Sequence, residues 1–114
     1  MAEFIQISNR SKYPGYIRLV AEKGQEAVGI SIGLQVGKTM LLENFRVEPT
    51  LRKMGIGATL LTETEKAAKE SGAKRILRIG MFCDADSIPA YINAVKFFIK
   101  NGYSWSIIAL SKSI

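Results

Sequence analysis

The chain has 114 residues, 47% of them hydrophobic and 23% charged, which is room for one packed core and too apolar for disorder. Its net charge is +6 with no histidine, so histidine-based catalysis and the usual histidine-bearing zinc and iron sites are excluded, and we expect no metal. One cysteine, Cys83, excludes an internal disulfide; it reads as a small buried hydrophobe in a protein of a reducing compartment, the cytoplasm.

Taken in chain order, the first half reads as strands. Phe4 to Ser8 alternates and is rich in β-formers, and Tyr13-Pro14-Gly15-Tyr16 places proline and glycine where a type II turn wants them. Tyr16 to Ala21 is a second strand, Ala27 to Leu34 a third and Thr39 to Val47 a fourth, with turns at Lys23–Glu26 and Val36–Lys38. Short connections of this kind imply an antiparallel meander.

Beyond Pro49 the period changes. Ile56, Leu60, Leu61, Thr64, Ala67 and Ala68 recur at helical spacing, and Gly72 is placed to end a helix over about 55–71. Glu65 and Lys69 on its outer side are spaced for an i,i+4 ion pair. Arg75 to Cys83 is a fifth strand. Asp84-Ala85-Asp86-Ser87 then supplies cap material for a second helix over about 88–101, with Tyr91, Ala94, Val95 and Phe98 as its buried stripe and Gly102 at its end. Tyr103 to Ser111 is a last strand. The fold class is therefore α/β of the α+β kind: a mixed, mostly antiparallel twisted sheet of about six strands, its fourth and fifth parallel, flanked by two main helices in one domain spanning 1–114.

The turn Arg52-Lys53-Met54-Gly55-Ile56-Gly57 joins the fourth strand to the first helix. Glycines at a helix N-terminus turn backbone N–H groups and the positive end of the helix dipole to one spot, an anion cradle suited to phosphate or pyrophosphate. No Gly-Lys-Ser/Thr follows, which excludes a Walker phosphate loop, and the third glycine of a dinucleotide fingerprint is missing. The lysines and arginines are scattered and not interleaved with aromatics, so nucleic-acid binding has only the net charge behind it. The N-terminus lacks a basic, apolar leader, and no window is long and apolar enough for a membrane span.

The segment from Leu42 to Leu61, with Val47-Glu48-Pro49 followed by Arg52-Lys53-Met54-Gly55-Ile56-Gly57, resembles the acetyl-CoA-binding core of the GNAT superfamily of N-acetyltransferases. A second stretch, Ala94-Val95-Lys96-Phe97-Phe98-Ile99-Lys100-Asn101-Gly102-Tyr103, is similar to the end of that family's next helix. The resemblance implies that the backbone of Arg52, Lys53, Met54, Gly55, Ile56, Gly57 and Ala58 holds the pyrophosphate of coenzyme A, and that the pantetheine arm pairs with the backbone of Phe45 and Val47 where strands four and five splay apart. It implies transfer of an acetyl group from acetyl-CoA to a primary amine of a peptide, protein or small molecule.

Glu43 is the candidate general base: simple alternation puts it on one face with Phe45 and Val47, although a solvated strand carboxylate has the same spacing. Glu48 lies on the other parity. Where many family members carry a tyrosine that protonates the departing thiolate, this chain has Phe98, and Tyr91 lies two turns away. That favours an alternative, a catalytically silent acetyl-CoA-binding protein with a regulatory or interaction role. Members usually carry two helices between their first two strands; here Asn9 to Gly15 is a short loop, which leaves the acceptor side open and apolar surface free for a homodimer.

Overall fold

The computed structural model describes residues 5–49, 51, 55–79, 88–105 and 110–114. Strands β1 (Ile5–Asn9), β2 (Tyr16–Lys23), β3 (Glu26–Val36) and β4 (Thr39–Val47) form the expected antiparallel meander. Helix α1 (Ile56–Glu70) then leads to β5 (Arg75–Arg78), which pairs parallel with β4 through Thr39↔Arg75 to Leu42↔Arg78. Helix α2 (Ile88–Lys100) follows. The anticipated last strand is two pieces, β6 (Ser104–Trp105) and β7 (Leu110–Ser113), paired antiparallel to each other, so the chain reverses between them. The sheet order is β1-β2-β3-β4-β5-β7-β6.

Both helices pack on one face of the sheet. Leu60, Leu61, Thr64 and Ala68 of α1 are buried, as the helical period anticipates, against Leu19, Ala21, Met40, Leu42 and Ile76. Phe98 of α2 joins the same core. Aromatic rings fasten α2 to β4: Phe45 stacks on Phe97 at 5.7 Å and meets Phe98 edge-on at 5.5 Å. Edge-to-face and offset pairs of this kind contribute about 0.5–1.5 kcal/mol each beyond area burial.

Both helix ends predicted from glycines are present. Ala73 N–H donates to Ala68 O and Tyr103 N–H to Phe98 O, each at 3.0 Å, closing α1 and α2 in Schellman fashion around Gly72 and Gly102. The Tyr13–Tyr16 turn also forms, with Tyr16 N–H donating to Tyr13 O at 3.2 Å.

The ion pair anticipated between Glu65 and Lys69 is replaced by a longer-range arrangement. Glu65 accepts from the Tyr103 hydroxyl at 3.0 Å and from Lys112 Nζ at 3.2 Å, so its carboxylate ties α1 to β7 and to Tyr103, just past the Gly102 end of α2. Half-buried partners outcompete a solvent-exposed helical pair, which is worth only a few tenths of a kcal/mol. On the sheet face away from the helices Leu34 and Val36 are 44% and 60% exposed, and on the outer side of α2 so are Ile88, Ile92 and Ile99. Among the described residues no helix is long and apolar enough to cross a membrane.

Candidate functional site

The turn from β4 to α1 begins with Glu48 N–H donating to Val28 O and Leu51 N–H to Glu48 O. It ends at Gly55, the N-cap of α1, at φ +78°, a left-handed conformation that glycine adopts without strain. Among the described residues no side chain caps this end, and the first turn carries no acidic residue. The N–H groups of Ile56, Gly57 and Ala58 are therefore the orphan donors of a helix start, aimed along the positive end of its dipole. Gly57 serves a second purpose: a Cβ there would meet the Phe97 ring at 3.2 Å, so its absence lets α1 and α2 close up beside the turn. Arg52, Lys53 and Met54 lie outside the described residues, as does Cys83.

Phe45 and Val47 lead into this turn. Val47 is buried and Phe45 half-buried, both toward the helices. The described β4–β5 pairing runs from Thr39↔Arg75 to Leu42↔Arg78, with Ile79 N–H donating to Leu42 O at 3.2 Å beyond it. Among the described residues, β4 thus has a β5 neighbour over its first half only.

Glu43 lies at the boundary. The β3–β4 register shifts here, Ile32 facing Asn44 and Gly33 facing Leu42, so Glu43 is the extra residue of a β-bulge and is exposed. Met40 and Leu42 before the bulge and Phe45 and Val47 after it all serve the helix-side core, although their numbers differ in parity. Simple alternation, which put Glu43 on one face with Phe45 and Val47, therefore does not hold through this point. Glu48 is exposed beyond the strand.

Phe98 is 2% exposed and brings an apolar edge, with no exchangeable proton, to Phe45 and Tyr103. Tyr103 is a core residue. Burial, and then the charge and hydrogen bond of Glu65, hold its phenol protonated well above the usual tyrosine range. Tyr91 is half-buried against the core on the first turn of α2.

One residue of this region escapes sequence reasoning. Arg78 is buried, and its Nη1 donates to Leu42 O at 3.3 Å, to Glu43 O at 3.2 Å and to Ile79 O, with the guanidinium 5.7 Å from the Phe98 ring centre. Its parity with Ile76, fully buried two residues earlier, is the signal that points it inward. Two hollows elsewhere, one between β1 and α1 and one of about 370 Å³ lined by Arg10, Lys12, Tyr13, Tyr16 and Arg18, lie away from the α1 N-terminus.

A model of the acetyltransferase (GNAT) family matches residues 2–103. No curated protein matches at a significant level. Among solved structures, an IAA acetyltransferase from Bacillus cereus superposes with a TM-score of 0.78 at 18% identity, over 97% of this chain and 100% of the other. A PaiA N-acetyltransferase from Thermoplasma acidophilum, in complex with coenzyme A, gives 0.71 at 19% identity over 88% of this chain and 62% of its own. The ribosomal-protein-S18-alanine N-acetyltransferase from Escherichia coli gives 0.71 at 15% identity over 90% and 72%. At these identities the likeness is one of fold.

Proposed function

Because this chain belongs to the acetyltransferase (GNAT) family, we propose that it holds acetyl-CoA at the start of α1 and transfers the acetyl group to a primary amine. The observation that carries the reading is the α1 N-terminus at Gly55, left-handed and, among the described residues, without a side-chain cap. In this reading the whole chain, 1–114, acts as one acetyl-CoA-binding domain in the cytoplasm, without a metal.

The backbone from Arg52 to Ala58 receives the pyrophosphate at the positive end of the α1 dipole. The pantetheine arm pairs with the backbone of Phe45 and Val47, as an added strand. An amine nitrogen then attacks the thioester carbonyl: a C–N bond forms, the C–S bond breaks and coenzyme A leaves as thiolate. Glu43 takes the proton that the ammonium must lose, and water supplies one to the thiolate, since Phe98 has none to give. An exposed carboxylate suits an acceptor arriving from solvent, and the short Asn9–Gly15 connection leaves that side open to a peptide amine as well as a small one.

Calorimetric titration with acetyl-CoA tests the cofactor reading; no binding at millimolar ligand ends it. For Glu43→Gln we expect turnover to fall by about an order of magnitude or more at unchanged acetyl-CoA affinity. An unchanged rate returns Glu43 to the role of a solvated carboxylate.

The fully buried Phe98 favours a second reading, a silent acetyl-CoA-binding protein with a regulatory or interaction role. Tight acetyl-CoA binding with no thiol release across a panel of amines and lysine peptides selects it. In either reading the sheet face bearing Leu34 and Val36 supports a homodimer. A Leu34→Lys/Val36→Lys double variant that sediments as the unaltered chain does would remove that face from the interface.

A further inference from the structure

Arg78 occupies a place where an aliphatic side chain would be expected. It follows Ile76 on the helix side of a strand inside the sheet, between β4 and β7, and is 2% exposed. Taking a guanidinium out of water is costly unless hydrogen bonds replace its hydration, and a well-packed hydrophobe of similar volume is often at least as stable. Stability alone is therefore a poor reason for an arginine here. Its contacts suggest a better one. Nη1 donates to the carbonyls of Leu42, which is the last described β4 residue paired with β5, of Glu43 at the bulge, and of Ile79. The Phe98 ring, 5.7 Å from the guanidinium centre, supports the fork from the α2 side. The side chain thus braces the β4 backbone at the bulge.

We propose that Arg78 is a positioning residue for acyl transfer, its guanidinium locking the β4 bulge so that the strand presents one fixed backbone to the thioester. The inference rests on the cofactor reading above. A pantetheine arm that pairs at Val47 and then Phe45, and continues in the same direction, arrives at Glu43, whose carbonyl Arg78 holds. Arg78 thereby fixes both the acyl end of the cofactor and the backbone that carries the candidate base. In that reading the pyrophosphate is held at the α1 N-terminus, apart from the β4 bulge whose carbonyls Arg78 holds. Cofactor affinity and turnover should therefore respond differently to its loss.

Arg78→Met and Arg78→Lys test this in the full chain, with acetyl-CoA affinity by calorimetry, kcat and KM by thiol release, and thermal melting measured together. For Arg78→Met we expect affinity close to that of the unaltered chain and kcat lower by about a hundredfold, the effect of a slight misplacement of reacting groups. Millimolar guanidinium ion should restore part of that kcat. Arg78→Lys keeps the charge but not the fork, and its kcat should fall between the two. The proposal is overturned if kcat survives in Arg78→Met, if kcat, affinity and melting temperature fall together with no rescue by guanidinium, or if neither variant folds. Failure of the cofactor reading is separately visible, as an unaltered chain that does not bind acetyl-CoA. An unaltered chain that binds it without turnover also removes the role assigned to Arg78.

Discussion

The two ends of α1 are built on opposite terms. At its C-terminus Ser71 N–H donates to Ala67 O, Gly72 N–H to Lys69 O and Ala73 N–H to Ala68 O, while Ser71 Oγ lies 2.9 Å from Ala68 O and 2.8 Å from Gln35 Oε1. Lys69 in the last turn adds the charge that the dipole favours there. At the N-terminus there is, among the described residues, no side-chain cap and no acidic residue, only a left-handed glycine. One end has its backbone groups satisfied from within the fold; the other keeps donors and a positive pole in hand. A single helix thus separates the part of the sequence that serves stability from the part proposed to serve a ligand.

Substitutions at the two ends can break that contrast. The largest effect is expected for Gly57→Val, whose side chain collides with the Phe97 ring and should push the first turn of α1, and with it the cradle, out of place. With overpacking at about 1–3 kcal/mol, acetyl-CoA affinity should fall between tenfold and hundredfold, with a lower melting temperature. Gly55→Val forces a β-branched residue out of the left-handed region at a cost of about 1–2 kcal/mol, and affinity should fall by about tenfold when titrated by calorimetry. Equal affinity in both variants would mean that the open end is not a ligand site.

Two further variants sharpen the contrast from the structural side. Tyr103→Phe should cost about 1 kcal/mol at neutral pH, measured by urea melts, with acetyl-CoA affinity unchanged. The folded-state pKa of Tyr103 is raised, so its contribution is fully present below the unfolded value of 10.0 and declines as pH rises above it. The alkaline loss of stability beginning near pH 10 should therefore flatten in Tyr103→Phe. Smallest of all, Ser71→Ala should lower stability by about 0.5 kcal/mol and leave the affinity untouched.

Much of this was legible in the sequence because it is local. The meander, the span of α1, its end at Gly72 and the glycine turn before it are each written in a run of neighbouring residues. What escaped depends on residues far apart. A bulge at Glu43 is a property of two strands, and it reverses every parity inference carried across it. The partners of Glu65 come from 38 and 47 residues downstream, beyond any helical spacing rule. Arg78 looks like an ordinary basic residue until β4 supplies the carbonyls that hold it. The site is thus readable where the chain turns, and opaque where distant strands meet.

The short link between β1 and β2 has a consequence for engineering. Arg10 N–H donates to Arg18 O at 2.7 Å and Arg18 N–H to Ser11 Oγ at 2.9 Å, so the two strands are already stitched together at the base of the loop. Gly15 O accepts from Gln35 N–H, which sets the loop beside the β3–β4 turn, the far end of β4 from Gly55. Lengthening a loop whose ends are already held together adds only about 0.6 kcal/mol of closure entropy per doubling. The Lys12–Pro14 tip is therefore a docking port for grafted segments: new walls for chosen acceptors can be installed there while the cradle on α1 is left as it is.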